Sequence, residues 1–321
     1  MNKVLYIVVP CYNEEEVLTE TIKQISKKIH ELIIKGKISI DSKMLLVDDG
    51  SKDSTWSQIE SAHKNNSVCF GLKLSRNTGH QNALLAGLMT AKEHADMVIS
   101  MDADLQDSID AIDEMVDKFY EGNDIIYGIR NKRKKDTVFK RFTAETFYKI
   151  MSFLGAEIIY NHADYRLMSK KALEGLAQFK EVNLFLRGIV PLIGYNTDTV
   201  YYERAERIAG ESKYPLKKMV AFAVEGITSF SIKPIRLITS LGLVVFMVSI
   251  LMLAYSLARY FSGHVVDGWA SIMVSLWAIG GAIILAIGVI GEYIGKIYLE
   301  SKARPKYIIE KMLLDKRNGN R

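Results

Sequence analysis

The sequence predicts an α/β protein with a Rossmann-like, mostly parallel sheet, followed by two membrane-spanning helices. Short apolar runs alternate with helical stretches over residues 1–130, and short polar side chains follow several of those runs. Two long segments near the C-terminus carry no charge at all. With 321 residues, 49% of them hydrophobic, the chain can bury a sizeable core, which excludes a disordered or fibrous protein.

The first 130 residues repeat a strand–helix unit. Strands are predicted near residues 4–9, 44–47, 68–74, 97–101 and 124–129, and helices are predicted to begin near residues 14, 54, 80 and 110. Repeated units of this kind form a parallel sheet with helices on both faces. Because such sheets bind ligands at the carboxyl ends of their strands, we expect the functional site there.

Two C-terminal segments, residues 237–258 and 268–291, contain no Asp, Glu, Lys, Arg or His. Each is long enough to cross about 30 Å of hydrocarbon as a helix. The alternative, two buried helices of a soluble core, rarely has apolar runs of this length. Basic residues cluster before the first segment and after the second, which predicts a multi-pass protein of the cytoplasmic membrane with both termini and the N-terminal domain in the cytoplasm. The basic residues are Lys217, Lys218, Lys233, Arg236, Lys296, Lys302, Arg304 and Lys306.

These patterns predict four regions along the chain. An α/β domain covers residues 1–210, a juxtamembrane amphipathic connector covers 211–235, a two-helix hairpin covers 236–294, and a basic cytoplasmic tail covers 295–321. Residues 139–154 form a second amphipathic stretch. Both amphipathic stretches can lie along a lipid surface, with ordinary core packing as the alternative.

Charge and cysteine content exclude several other classes of protein. The formal net charge of +5 is too small for a dedicated nucleic-acid binder, so nucleic acid is not expected as a partner. Cys11 and Cys69 are the two cysteines of the chain. They cannot build a disulfide framework or a paired-cysteine zinc site, which fits a reducing cytosolic environment.

The strongest chemical signal follows the apolar run at residues 97–101. Asp102 and Asp104 are two residues apart at a predicted strand end, so their carboxylates point the same way, and Gln106 continues the alternation. Hard oxygen donors of this kind suit Mg²⁺ or Mn²⁺, which keep positions open for phosphate oxygens. The alternative is that the two aspartates only cap a turn.

A second acidic turn, Asp48-Asp49-Gly50, follows another predicted strand. Gly50 permits a sharp turn, and Asp49 is a candidate to accept the imide hydrogen of a uracil ring. The alternative is a merely solvated Asp49. Arg130 ends a further strand and is expected to contact phosphate. The basic run at residues 132–135 holds a diphosphate, attracts anionic lipid or is a solvated face.

Three motifs occur together and in order: VVPCYNEE at residues 8–15, VDDGSKD at 47–53 and DADLQD at 102–107. As a set they resemble family 2 glycosyltransferases of the GT-A fold. Within that family the chain is similar to the polyprenyl-phosphate glycosyltransferases, the group of bactoprenol glucosyltransferase and dolichol-phosphate mannose synthase. Further matches are SRNTGH at residues 75–80, ADYRLM at 163–168 and GESKY at 210–214.

The resemblance implies three groups of site residues. The nucleotide sugar is expected to contact Pro10, Tyr12, Asn13, Glu14, Asp48, Asp49 and Asp102, and the metal is expected on Asp102, Asp104 and Gln106. Asp104, Asp164 and Arg130 are the expected catalytic residues, with Asp164 either a base or an orienting group. Phosphate of donor or acceptor is expected to contact Arg130, Arg141, Arg166, Arg207, Ser212 and Lys213.

The resemblance also implies a reaction: inverting transfer of one hexose, with glucose favoured, from a UDP-sugar to undecaprenyl phosphate in the lipid bilayer, giving a lipid-linked sugar for cell-envelope glycans. UDP-N-acetylglucosamine and GDP-mannose remain alternative donors. A processive polysaccharide synthase and a non-catalytic membrane scaffold are the competing functions. A flippase, a downstream glycosyltransferase and, by analogy, a homotetramer are the expected partners.

Overall fold

The structure is a computed structural model that describes residues 2–130, 162–182, 185–203, 233–262 and 268–314. The strands are β1 (Leu5–Cys11), β2 (Lys43–Asp48), β3 (Cys69–Leu74), β4 (Met97–Ser100), β5 (Ile125–Arg130), β6 (His162–Ser169), β7 (Thr197–Tyr202) and β8 (Ile309–Leu313). The helices are α1 (Leu18–Ile34), α2 (Thr55–Asn65), α3 (His80–Lys92), α4 (Ala111–Tyr120), α5 (Lys170–Leu176), α6 (Leu186–Leu192), α7 (Lys233–Phe261) and α8 (Trp269–Lys302).

In the described part of the chain, eight strands form a mixed sheet in the order β7-β5-β6-β4-β1-β2-β3-β8. The pairs β4–β1, β1–β2, β2–β3 and β5–β7 are parallel. Strand β6 is antiparallel to both β4 and β5, and β8 is antiparallel to β3. The predicted class, an α/β domain with a mostly parallel sheet, is confirmed.

Strand β1 is the point at which the chain changes direction across the sheet. The chain proceeds from β1 to β2 and β3 on one side, and β4 then pairs with β1 on the other side. A crevice outside the carboxyl ends of the strands is typical of such a switch point. The acidic turns after β2 and β4 therefore lie on either side of the residues that follow β1.

The core is built where helices pack on the central strands. All seven residues of β1 are buried, as is typical of a parallel strand covered by helices on both faces. Gly87 on α3 allows a close approach, because a Cβ atom there would overlap the side chains of Val8 and Val47. Helix α1 is amphipathic and buries the stripe Leu18, Thr21, Ile25, Lys28, Ile29 and Leu32.

The C-terminal segment forms part of the sheet. We predicted a basic tail from residue 295, but α8 continues to Lys302 and β8 then pairs with β3. Two ion pairs fasten this edge, one between Lys73 and Glu310 at 2.9 Å and one between Lys311 and Glu60 at 2.6 Å. The domain that we predicted as residues 1–210 therefore also includes β8, and it is discontinuous in sequence.

Helices α7 and α8 belong to a second compact unit. Each contains a segment long and apolar enough to cross a membrane, Lys233–Met252 in α7 and Ala278–Lys302 in α8. None of the described side chains in these segments is buried, unlike those of core helices in a soluble protein. The two helices agree with the two predicted spans, whereas the predicted amphipathic residues at 139–154 and 211–232 lie outside the described part of the chain.

Candidate active site

The residues after β1 are hydrogen-bonded to the turn after β2. Asn13 adopts the left-handed conformation with φ 55°. Its backbone N–H donates to Ser51 Oγ at 3.0 Å, and its side-chain oxygen accepts from the backbone N–H of Lys52 at 2.9 Å. Beside it, Tyr12 is 42% exposed, whereas Pro10 is buried within β1. Tyr12 is therefore the residue of this segment with a broad exposed face for a ligand.

The acidic turn after β2 buries both of its carboxylates. Asp49 is 2% exposed, and its Oδ1 accepts from the backbone N–H and the hydroxyl of Thr78 at 2.7 and 2.9 Å. Its Oδ2 accepts from the backbone N–H of Gly79 at 2.9 Å. Asp48 accepts from the backbone N–H of Ser51, and burial raises the pKa of Asp48. The alternative of a merely solvated Asp49 does not agree with this burial.

The loop after β4 carries the predicted metal residues. Gln106 is buried, and its backbone N–H donates to Asp104 Oδ1 at 3.2 Å. Leu105 is left-handed with φ 54°, and the hydroxyl of Thr21 donates to the carbonyl of Ala103 at 2.7 Å. A strained residue and a buried tether from α1 thus fix the shape of the loop.

This loop carries an excess of negative charge. Burial raises the pKa of Asp102 to about 6; His80 opposes the shift, and the carboxylates of Asp107, Asp164 and Asp104 add to it. No three His, Cys, Asp or Glu side chains of the described residues form a ready metal site. Two carboxylates and an amide oxygen on one short loop, with the pKa of Asp102 raised by burial, nevertheless fit a hard divalent cation that takes its remaining ligands from phosphate. The predicted donor set therefore fits Mg²⁺ or Mn²⁺.

Asp164 on β6 is held between two arginines. Its Oδ1 accepts from Arg166 Nη2 at 2.6 Å, and its Oδ2 accepts from Arg187 Nη2 at 3.0 Å. His80 Nε2 lies 3.7 Å from Asp164 Oδ2 and 3.6 Å from Asp102 Oδ1. Burial opposes ionisation of Asp164, but Arg166 and Arg187 outweigh it and lower the pKa of Asp164 below its ordinary value. A carboxylate with so low a pKa is a weak proton acceptor.

Arg130, at the end of β5, is paired with Asp107 of the loop between β4 and α4 (residues 101–110, the metal loop). Its Nη2 donates to Asp107 Oδ1 at 3.0 Å, and its Nε donates to the hydroxyl of Tyr202 at 3.1 Å. The guanidinium side chain remains 27% exposed. The three residues predicted to be catalytic lie on or just after three adjacent strands: Arg130 on β5, Asp164 on β6 and Asp104 after β4.

The predicted phosphate contacts of Arg166 need revision. The Arg166 side chain is 1% exposed, and its Nη2 is bound to Asp164. A phosphate cannot reach a guanidinium so placed, and we assign Arg166 to holding Asp164 instead. Four other residues predicted to contact phosphate, Arg141, Arg207, Ser212 and Lys213, lie outside the described part of the chain.

Four residues near the site carried no predicted role: His80, Asp107, Arg187 and Tyr202. His80 is the last residue of the SRNTGH motif, and Asp107 directly follows Gln106. Arg187 had a usable signal, because a single arginine within the apolar run at residues 185–190 usually pairs with a buried carboxylate. Nothing local in the sequence singles out Tyr202.

Comparisons with known proteins identify the family. The family model described as "Glycosyl transferase family 2" matches residues 6–176. The glycosyltransferase YkoT of Bacillus subtilis is 53% identical, with 96% of this chain and 91% of that protein covered. The bactoprenol glucosyl transferase of Shigella phage SfV is 41% identical, with 95% and 97% covered.

Similar solved structures include mannosyl-3-phosphoglycerate synthase from Rubrobacter xylanophilus, with a TM-score of 0.46 and 15% identity. That similarity covers 70% of this chain and 71% of that one. The family match covers more than half of this chain, and the similarity to YkoT and to the phage protein extends over almost all of it. The chain belongs to glycosyl transferase family 2 and is a glycosyltransferase.

Proposed function

We propose that this enzyme transfers one glucose from UDP-glucose to undecaprenyl phosphate, with inversion at the anomeric carbon, at the cytoplasmic face of the membrane. The product is a lipid-linked glucose for cell-envelope glycans. The observation that carries the proposal is the extent of the similarity to the proteins named bactoprenol glucosyl transferase. It covers 95% of this chain, and therefore includes both the acidic turns and the apolar helices.

The donor is proposed to bind across the carboxyl ends of β1, β2 and β4. Tyr12 would contact the nucleoside with its exposed ring, and the buried Asp49 would shape the turn that receives the base. Asp102, Asp104 and Gln106 would hold Mg²⁺ or Mn²⁺, which supplies neutralisation of the charge that develops on the departing diphosphate. Arg130 has a partly exposed guanidinium with which to bind phosphate oxygens.

Asp164 is proposed to orient the reacting groups rather than to remove a proton. A phosphate monoester has a second pKa of about 6, so the acceptor is largely ionised at neutral pH and needs no strong base. The pKa of Asp164 is lowered by Arg166 and Arg187, which makes it a weak base. Its contacts with Arg187 and His80 support a role in orienting the substrate and the metal.

The apolar helices are proposed to bring the enzyme to its acceptor. Removing a polyprenyl tail from the bilayer costs about 0.8 kcal/mol for each exposed CH₂, so the enzyme must work at the membrane surface. Helices α7 and α8 each have a segment apolar enough to span the bilayer. The basic residues around the two segments favour a cytoplasmic catalytic domain with both termini in the cytoplasm.

The test is an assay of the full-length protein in lipid nanodiscs with radiolabelled UDP-glucose and undecaprenyl phosphate. We expect one glycolipid carrying a single sugar, no product with EDTA, and restored product when Mn²⁺ is added. Unlabelled UDP-N-acetylglucosamine and GDP-mannose should compete poorly with the donor. A polymeric product, preferential use of either competing donor, or no product at all would refute the proposal.

A further inference from the structure

Arg130, Tyr202 and Asp107 form a closed ring of hydrogen bonds. Arg130 donates from Nε to the Tyr202 hydroxyl and from Nη2 to Asp107 Oδ1, at 3.1 and 3.0 Å. The Tyr202 hydroxyl then donates to the same Asp107 oxygen at 2.5 Å. The Asp107 side chain is 1% exposed and Tyr202 is 4% exposed, so these bonds are shielded from water.

The backbone holds all three members of the ring in place. Arg130 and Tyr202 are the last residues of β5 and β7, and they face each other directly in the parallel register of those strands. The Tyr165 ring meets the Tyr202 ring edge-on at 5.3 Å, and its hydroxyl donates to the carbonyl of Ser108. Asp107 and Ser108 both belong to the metal loop, so the ring of hydrogen bonds joins Arg130 to that loop.

The ring fixes which part of the guanidinium is available to a ligand. Nε and Nη2 bind Tyr202 and Asp107, whereas Nη1 makes no hydrogen bond with any residue that the structure describes. The Arg130 side chain is also 27% exposed. A guanidinium is planar, so fixing one edge fixes the direction of the remaining N–H groups.

We propose that Tyr202 is a positioning residue: its hydroxyl sets the Arg130 guanidinium so that the remaining N–H groups bind a phosphate oxyanion of a substrate. The inference rests on the proposed function, in which both substrates carry phosphate. The oxyanion belongs either to the nucleoside diphosphate of the donor or to the phosphate of the lipid acceptor. Without the hydroxyl, Arg130 still neutralises Asp107 but is free to rotate away from the phosphate.

The test begins with Tyr202→Phe in the full-length protein, because phenylalanine keeps the edge-on contact with Tyr165. Two measurements separate the two phosphates: calorimetric titration with UDP in the presence of Mn²⁺, and the KM for undecaprenyl phosphate. We expect one of the two to weaken about tenfold, which is the scale of one lost charge-assisted hydrogen bond. Tyr201→Phe is the matched control, since Tyr201 is 62% exposed, and it should change neither.

A double-mutant cycle distinguishes positioning from a general structural effect. If Tyr202 acts through Arg130, Tyr202→Phe should have no further effect on phosphate binding in an Arg130→Met background. If the Arg130→Met variant folds poorly, the cycle is repeated with Arg130→Lys, because lysine keeps a positive charge beside Asp107. Additive effects, or a Tyr202→Phe protein that matches Tyr201→Phe in both measurements, would overturn the inference.

The UDP arm separates this inference from the proposed function. It needs no lipid acceptor, so a wild-type protein that binds UDP but makes no glucosyl lipid refutes the proposed function alone. The cycle on UDP affinity then still decides whether Tyr202 positions Arg130. A wild-type protein that makes the glucosyl lipid, combined with an additive cycle in both arms, refutes the positioning role alone.

Discussion

Two acidic turns that look alike in the sequence differ in how their charges are satisfied. At the turn after β2, Asp49 is 2% exposed and accepts three hydrogen bonds from Thr78 and Gly79. At the loop after β4, the partly buried Asp102 lies near three other carboxylates, those of Asp104, Asp107 and Asp164, and has only His80 opposite it, 3.6 Å from its Oδ1. Asp49 is therefore satisfied without a ligand, whereas the raised pKa of Asp102 means that its ionised form is disfavoured until a cation binds.

A pair of aspartates at a strand end can therefore either stabilise the fold or provide ligands for a cation. A carboxylate that accepts several hydrogen bonds stabilises the fold, because each bond to a charged group is worth about 1.5–3 kcal/mol. A carboxylate beside other carboxylates destabilises the fold until a cation binds. Substitutions in the turn after β2 should therefore mainly lower stability, whereas substitutions in the loop after β4 should mainly lower activity.

The largest expected effect is on catalysis, at the metal loop. Asp104→Asn should lower the rate of glycosyl transfer by about three orders of magnitude, because loss of a bound divalent ion removes several kcal/mol of charge stabilisation. Initial rates with saturating donor and acceptor measure this. Asp41→Asn is the control, since Asp41 is exposed and lies before β2, at the other end of that strand. If Asp104→Asn keeps a rate within tenfold of wild type, the loop after β4 does not depend on a bound cation, and the proposed difference between the two turns is wrong.

The next largest effect is on folding, at the turn after β2. Gly50 has φ +67°, and a Cβ atom there would lie 2.6 Å from backbone atoms of Arg76 and Asn77. Gly50→Ala should lower the free energy of unfolding by about 3 kcal/mol, from left-handed strain and backbone overlap together. The full-length protein can be unfolded thermally in detergent to measure this.

Gly36→Ala is the matched control for Gly50→Ala. Gly36 has the same φ of +67° but no atom within 4 Å of the added methyl group. It should therefore show the conformational strain alone, about 1 kcal/mol. Equal losses of stability at the two glycines would mean that the close approach of the loop before α3 to the turn does not matter.

A smaller loss of stability is expected at Asp49. Asp49→Asn turns an amide group towards a backbone N–H donor and should cost about 2 kcal/mol. Asp48→Asn is the control: it should cost less, because Asp48 Oδ2 has no hydrogen-bond partner among the described residues. Thermal unfolding of both variants in EDTA measures the contrast. If Asp48→Asn is the more destabilising of the two, the satisfied carboxylate has been assigned to the wrong residue.

The smallest expected effect is at Asp102 in the absence of metal. In EDTA, Asp102→Asn should melt at or slightly above the wild-type temperature, because it removes one of several like charges. Saturating Mn²⁺ should raise the wild-type melting temperature, since a ligand at about 100 times its Kd adds about 2.7 kcal/mol. The variant should gain little. A variant that loses stability in EDTA as Asp49→Asn does would make the two turns equivalent.

The sequence predicted much of the fold, because the β-strands and spans are marked by local composition. The strands β1 to β5 correspond to the five predicted apolar runs, and α7 and α8 contain the two charge-free segments. Strand β8 was not predicted, because its three central residues are all exposed, without the alternation of a half-buried strand, and its partner β3 is more than 200 residues away in sequence. The limits of the catalytic domain therefore required the structure.

The candidate site, like the fold, was only partly predictable from the sequence. Asp102, Asp104 and Gln106 were predicted as metal ligands from one short acidic motif after a strand, and the structure places all three in the loop that follows β4. The pairing of Asp164 with Arg187 and of Asp107 with Tyr202 joins residues 23 and 95 positions apart. Arg166 shows the limit clearly: its residue type suits phosphate, but its burial excludes it from that role.

Local sequence was enough to predict the alternation of strands and helices, the acidic turns at the strand ends and the two apolar helices. Each of these depends on residues that are neighbours along the chain. The tertiary structure alone decided which carboxylates are satisfied by hydrogen bonds, which arginine can reach a ligand, and where the C-terminal strand pairs. Those properties depend on the order of strands in the sheet, which brings together residues that no local pattern connects.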